Sequence, residues 1–230
     1  MRVAGLVAGA VATAVIAVGA IGYAVAEGGG PADGAPAAGA TAPAPTVPAA
    51  GSADAGFARD MAVHHQQAVE MSYIVRDRTS DPEVRRLAYD IAQTQANQRG
   101  MLLGWLDLWG LPKVSAGSPM AWMGMGTGGA TPGAPNADGT DGTDGALMPG
   151  MATDAQLKEL GRLRGRAAEV LYLRLMTAHH RGGIHMAQAC AAACAVGAEK
   201  RLAQGMVDAQ QSEIDLMADM LEKRGAATGS

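Results

Sequence analysis

The stretches MAVHH at residues 61–65 and MTAHH at residues 176–180 decide the fold of this chain. They lie 115 residues apart, and the same offset aligns the sequence on either side of them without a gap. The further matches are Met71 with Met186, Gln95 with Gln210, Leu106 with Leu221 and Gly110 with Gly225. A match on this scale indicates a duplicated unit, and each unit has the pattern of two helices. We therefore predict an all-α fold, a four-helix bundle made of two repeated helical hairpins.

Capping signals set the limits of the two hairpins. In the first, residues 53–110, the segment TSDPE at 79–83 marks the turn. We expect Ser80 to cap the second helix and Glu83 to complete a capping box, with a proline tolerated in the first turn between them. The second hairpin, residues 153–225, opens with another capping box. Its expected helices run to about residue 163, over about 166–195 and over about 198–223.

Composition favours helices and argues against nucleic acid as a partner. Apolar residues make up 48% of the chain but aromatic residues only 3%, so the core must consist mainly of Ala, Leu, Val and Met, which suits closely packed helices. The 18 basic and 22 acidic residues are interspersed and give a formal net charge of -4. A phosphate backbone would need a basic stripe, which this sequence lacks.

The first residues indicate export. Residues 3–26 carry no charge and are long enough to cross a bilayer as a helix. The small residues at 24–26 also resemble a signal-peptide cleavage site, so a removed signal stays open beside the membrane anchor that we favour. Both alternatives place the remainder outside the cytoplasmic membrane, with residues 27–52 as a flexible Pro/Ala/Gly linker and 226–230 as a tail.

All five histidines of the chain fall in the two repeated segments. At about 100° per residue, the histidine pair and two methionines of each copy share one helix face. Glu70 falls on the opposite side in the first copy, and His185 takes its place in the second. We therefore leave His185 out of the candidate ligands, which are His64, His65, Met61, Met71, His179, His180, Met176 and Met186.

The residue types on these faces point to copper. Imidazole and thioether together suit Cu(I), and imidazole also suits Cu(II) or Zn, whereas a Ca or Mg site would be rich in carboxylates. The alternative is that these side chains are only core residues, because a methionine stripe at helical spacing is usually packing. Repeated adjacent histidine pairs favour the metal site. Gln95 and Gln210, with Gln98 and Glu213 one turn further on, could orient the ligand rings or could simply line the bundle surface.

The segment 111–152 separates the hairpins and is rich in Gly, Pro and Met. Five of its methionines fit no periodic core pattern and are expected outside the core, namely Met120, Met123, Met125, Met148 and Met151. The first three could form a soft-ion trap covered by Trp122, or could be idle loop residues. Cys190 and Cys194 are likewise open to three readings, which are small buried residues, a disulfide or soft-metal ligands.

The histidine repeats, the Gln-x-x-Glu/Gln helices and the MPGM segment at 148–151 together resemble the domain of unknown function 305 family, over about residues 54–223. The resemblance implies a ferritin-like fold and copper binding outside the cytoplasm, with the eight candidate ligands in that role. The second copy has RGG at 181–183 where the first has QQA at 66–68, and the two cysteines have no counterparts in the first copy. The two sites need not be equal in affinity.

These observations favour an extracytoplasmic protein that sequesters or transfers copper, Cu(I) in particular, and is not an enzyme. A tethered structural or partner-binding bundle without metal is the alternative, and any protein partner is unknown. A ferritin-like redox enzyme would need Glu-x-x-His pairs, but Glu70, Glu169 and Glu213 are followed at the third position by Tyr73, Tyr172 and Leu216.

Overall fold

A computed structural model describes residues 47–115, 117–125 and 146–226, and within these ranges the chain is helical and contains no strand. The α-helices are α1 (Ala53–Arg76), α2 (Pro82–Leu108), α3 (Asp154–Arg162), α4 (Gly165–Ala193) and α5 (Gly197–Lys223). The all-α class is confirmed for this part of the chain. None of these helices is both long and apolar enough to cross a membrane. The predicted anchor or signal at residues 1–26 lies outside the described residues.

The helix ends follow the capping signals with one correction. Ser80 was the wrong residue for the cap of α2, because the carboxylate of Asp81 accepts the Val84 N–H at 2.9 Å. The expected capping box was wrong for the same reason, since with Asp81 as the cap the third helical position is Val84 and not Glu83. The Thr79 hydroxyl accepts the Asp81 N–H at 2.9 Å and so fixes this turn. A carboxylate at this position also interacts favourably with the helix dipole. The capping box that opens α3 is confirmed in both of its hydrogen bonds.

The long helices pack in a chain of contacts. α1 packs against α2, α4 packs against α5, and the two pairs meet through α1 and α4. α1 and α4 run antiparallel, since the start of α1 shares an apolar cluster with the end of α4 and the end of α1 shares another with the start of α4. The first apolar cluster includes Phe57, Met61, Leu106, Met186 and Cys190. The second apolar cluster includes Met71, Val75, Tyr172, Met176 and Leu221.

The segment between the hairpins contributes to this core, which sequence periodicity did not predict. Met120, Met148 and Met151 are at most 6% exposed and belong to the first apolar cluster. Trp122 rests against α1, where its indole N–H donates to Asp60 at 2.9 Å. The expectation that these methionines lie outside the core was therefore wrong for three of them, whereas the Met125 side chain is 46% exposed.

A buried ionic network joins the two pairs of helices at the end opposite the first cluster. The guanidinium of Arg224, 8% exposed, pairs with Glu169 at 2.8 Å and with Asp81 at 3.0 Å. The Thr79 hydroxyl donates to the other oxygen of Glu169 at 2.5 Å. The turn between α1 and α2 is thus tied to both α4 and the end of α5.

The backbone of the MPGM segment (residues 148–151) packs directly against the backbone of α4. A Cβ added at Gly182 would overlap the carbonyl oxygen of Pro149, and Gly150 opposite has φ +81°. The side-chain amide of Gln67 holds the same segment, because it donates to the Ala152 carbonyl at 2.8 Å and accepts the Ala152 N–H at 2.7 Å. Gly182, beside the second histidine pair, therefore allows another backbone to approach α4 closely.

We expect Gly182→Ala to destabilise the protein by more than about 1 kcal/mol, because the added methyl group must displace the backbone of Pro149. Gly205→Ala in α5 is the matched control, since nothing lies within 4 Å of the added carbon there. That change should stabilise the protein by about 0.5–1 kcal/mol. Urea unfolding followed by circular dichroism measures both values, and equal effects of the two changes would contradict the close approach.

Candidate metal centre

The four paired histidines meet where α1 crosses α4. His64, His65, His179 and His180 are all 0% exposed. The ring centroids of His64 and His179, one from each helix, are 3.7 Å apart. Within each pair the centroids are 6.5 Å apart for His64 and His65 and 6.2 Å apart for His179 and His180. Two sequence segments that were predicted as separate sites therefore form one continuous cluster of imidazoles.

Hydrogen bonds fix the orientation of three of these rings. The Nε2 atom of His65 lies 2.9 Å from the amide oxygen of Gln98, and that of His180 lies 2.6 Å from a carboxylate oxygen of Glu213. The Nε2 atom of His179 lies 2.9 Å from the carbonyl oxygen of His64. Each partner is an acceptor, so in a neutral ring Nε2 carries the proton and Nδ1 presents a lone pair.

The Nδ1 atoms are the unsatisfied atoms of the cluster. All four are buried, and none has a hydrogen-bond partner of good geometry; His64 lacks one at Nε2 as well, although the Pro149 carbonyl lies close enough to this ring to oppose the lowering of its pKa. Leaving a buried polar atom unpaired costs about 1–3 kcal/mol, so four together require an explanation. A metal-binding histidine almost always donates the N–H of its other ring nitrogen to a second residue, and either ring nitrogen can be the ligand. The chemistry of the donor set and the hydrogen bonds at Nε2 fit such an ion.

The electrostatics keep these rings in the ligand form. Burial lowers the pKa of His65 to about 3, although the hydrogen bond to Gln98 opposes the shift. Burial also lowers the pKa values of His64 and His179 well below the ordinary range, and the neighbouring histidines lower them further. Neutral imidazole binds metal and imidazolium does not, so these three rings are ready to coordinate at neutral pH.

The four candidate methionines are buried on both sides of the imidazoles. Met61 and Met186 lie in the first apolar cluster, and Met71 and Met176 lie in the second. Met61 precedes its histidine pair by three residues, about 4.5 Å of helix rise, whereas Met71 follows the pair by six, about 9 Å. The structure thus places one methionine of each copy, Met61 and Met176, within a turn of its own histidines and the other further away.

Of the four polar residues that could orient the rings, only two make hydrogen bonds to them. Gln98 and Glu213 orient ligand rings, whereas Gln95 and Gln210 do not. Gln95 is 2% exposed and neither atom of its amide group has a partner, and the Gln210 amide oxygen is also unpaired. Gly183 makes room for Gln210, because an added Cβ would lie 2.5 Å from that oxygen. His185 is exposed, which agrees with its exclusion from the ligand set.

The amino-acid sequence identifies the family of this chain. A sequence profile described as a domain of unknown function (DUF305) matches residues 54–221. The chain belongs to the DUF305 family. The family description names no catalytic activity. No protein with a curated description matches the chain.

Solved structures of this DUF305 protein's relatives extend the comparison. A Streptomyces coelicolor DUF305 protein classed as secreted is 66% identical, with a TM-score of 0.69 over 79% of this chain and 99% of that one. A Deinococcus radiodurans DUF305 fragment is 28% identical, with a TM-score of 0.59 over 74% and 96%. CopM in its Cu(II)-bound form is 21% identical, with a TM-score of 0.53 over 75% and 97%, a likeness that shows the fold alone.

We expect the stability of the metal-free protein to fall as the pH falls from about 6.5 towards 3. In this range the buried His65 ring stays neutral in the folded protein, but the unfolded chain takes up a proton at an ordinary pKa of about 6.5. The unfolded state then binds more protons, so acid favours it. Between pH 7 and 4.5, the free energy of unfolding should fall by about 2–3 kcal/mol more in wild type than in His65→Gln.

Urea denaturation at the two pH values measures this difference. His185→Gln is the matched control, because it removes an exposed histidine and should leave the wild-type loss unchanged. An equal loss in wild type and His65→Gln would contradict a buried neutral ring at position 65.

Proposed function

We propose that this protein binds copper at the buried imidazole cluster and sequesters or transfers it outside the cytoplasm. The observation that carries the proposal is the set of four buried Nδ1 atoms without hydrogen-bond partners, three of them on rings whose Nε2 atom faces an acceptor. Such a site is built to receive a cation. The ligands are His64, His65, His179 and His180, supported by the buried thioethers of Met61, Met71, Met176 and Met186.

The chemistry of this donor set favours copper among the metals. Neutral imidazoles and thioethers are soft to intermediate ligands, and the described residues bring only one carboxylate into hydrogen-bond contact with the rings. That carboxylate, Glu213, contacts Nε2 of His180 and leaves Nδ1 free. Uncharged ligands in a buried site suit a singly charged ion better than a doubly charged one, because the net charge to be buried is smaller. We therefore favour Cu(I).

Relatives support both the metal and the compartment. CopM, which shares the fold, has been solved in Cu(I)-bound and Cu(II)-bound forms. The Streptomyces coelicolor relative is classed as a secreted protein. We propose that this chain is likewise exported, with residues 3–26 as the exporting or anchoring segment and the membrane as a partner where that segment is retained.

We also propose that the four long helices are a duplicated, ferritin-like four-helix bundle. Equivalent residues at the 115-residue offset make equivalent contacts: His65 with Gln98 in the first copy, and His180 with Glu213 in the second. Gly110 and Gly225 close the second helix of each copy with φ of +66° and +58°. The duplication explains how one short motif supplies ligands from two sides of a single interface.

We expect the fourfold variant with His64, His65, His179 and His180 changed to Gln to lose copper binding by at least about 100-fold in affinity. Glutamine can place its amide nitrogen near the position of Nε2, so it retains a hydrogen-bond donor there while it removes the Nδ1 ligand. Competition with a Cu(I) chelator measures the affinity. His185→Gln is the control and should bind as wild type does.

Unchanged copper affinity in the fourfold variant, with helical content preserved, would show that the cluster is not the site. The protein would then fit the alternative of a structural or partner-binding bundle.

We expect the double variant Met61→Leu with Met176→Leu to weaken Cu(I) binding by about 10-fold or more, with little effect on Cu(II). Leucine has a similar volume, so the core is preserved, but it lacks the soft sulfur atom. Met217→Leu is the matched control, because Met217 is a fully buried core methionine that is not in the ligand set. An equal loss for both oxidation states would contradict a thioether role.

A further inference from the structure

A second group of metal-binding side chains lies at the junction of α4 and α5, away from the histidines. Cys190 is in the last turn of α4, Cys194 is its C-terminal cap and Glu199 is in the first turn of α5. The two sulfur atoms form a disulfide. The ligand atoms of all three residues lie within 4.8 Å of one another, and all three residues are buried. Cys190 follows His180 by ten residues, about 15 Å of helix rise.

Glu199 is the unexplained member of this group. Its side chain is 0% exposed, and no N–H or hydroxyl group of the described residues reaches either carboxyl oxygen. Its polar neighbour is the carboxyl group of Asp54, with which the protonated form of Glu199 makes a hydrogen bond. One oxygen of Asp54 also accepts the N–H groups of Ala195 and Val196 at 2.9 and 2.7 Å. Burial and the contact with Asp54 raise the pKa of Glu199 to about 9. Two buried carboxyl groups in contact cannot both ionise without a positive charge beside them.

A structural disulfide alone does not account for this arrangement. A disulfide carries no charge and needs no carboxylate beside it, and apart from Asp54 the surrounding residues are apolar members of the first cluster. Two thiolates and a carboxylate are instead a recognised ligand combination for a thiophilic divalent ion. In a tetrahedral zinc site, sulfur ligands at about 2.3 Å from the ion lie about 3.8 Å from each other, within the 4.8 Å span of this group.

We propose that the reduced form of the protein binds one zinc-like divalent ion through Cys190, Cys194 and Glu199, and that the disulfide is the closed form of this site. Opening requires a dithiol reductant: the reductant becomes a disulfide, and Cys190 and Cys194 become two thiols. Binding of the ion then releases the two thiol protons and the proton of Glu199. The ion replaces the S–S bond as the link between Cys190 and Cys194, and through Glu199 it also joins the end of α4 to the start of α5.

This site is independent of the proposed copper centre. The test therefore uses the full chain with His64, His65, His179 and His180 changed to Gln, so that only the second site can bind the probe. The probe is Co²⁺, because bonds between thiolate and Co²⁺ give an absorption band that no carboxylate or imidazole produces. The protein is reduced with a dithiol, freed of it without oxygen and titrated.

We expect a thiolate-to-cobalt band that saturates at one equivalent and is removed by one equivalent of Zn²⁺. The same protein kept oxidised should show no band, and this control has an unchanged sequence. Glu199→Gln should weaken Co²⁺ binding by about 10-fold or more, with the band still present at higher Co²⁺.

Absence of the band in the reduced protein would overturn the proposal. So would an equal affinity for Co²⁺ with and without the Glu199→Gln change. Circular dichroism of each sample establishes that helical content is retained. Loss of copper binding in the fourfold histidine variant has no bearing on these outcomes, so failure of one site is distinguishable from failure of the other.

Discussion

The contact between α1 and α4 is the constraint on which the rest of the structure depends. At its centre the rings of His64 and His179 are stacked at 3.7 Å, with a second buried imidazole on each side. Burying four imidazoles is unfavourable unless they stay neutral and their nitrogens are satisfied. Neighbouring elements satisfy Nε2 on three rings and leave every Nδ1 unpaired. Packing alone does not explain these unpaired nitrogen atoms, and for this reason we propose a metal site there.

The other elements adapt to this contact. α2 and α5 each bring one polar side chain, Gln98 and Glu213, to the outer ring of a pair. The segment before α3 covers the site from one side, which Gly182 permits because it has no side chain in the way of Pro149. Methionines in the two apolar clusters flank the rings and exclude water. Exclusion of water strengthens both the pKa shifts and any bond to a cation.

The two proposed metal sites differ in the chemistry of their side chains. The imidazole and thioether groups are uncharged and lie at the middle of α1 and α4. The cysteines and Glu199, which would be anionic in their ligand form, lie at the end of α4. Softness and charge differ between the two groups, so the ions that they favour differ as well. About 15 Å of helix separates them.

The sequence by itself determined the helical class, the repeat, the limits of most helices and the eight candidate ligands, because helical periodicity and capping are local properties that residue spacing records. The position of the α2 cap was missed, since Ser80 and Asp81 are both good caps and the choice depends on which side chain reaches Val84. Only the tertiary structure decided that the two histidine pairs form one cluster, that Gln98 and Glu213 orient the rings, and that Met120, Met148 and Met151 enter the core. Each of these contacts joins residues more than 30 positions apart, and no local sequence pattern predicts which distant residues come into contact.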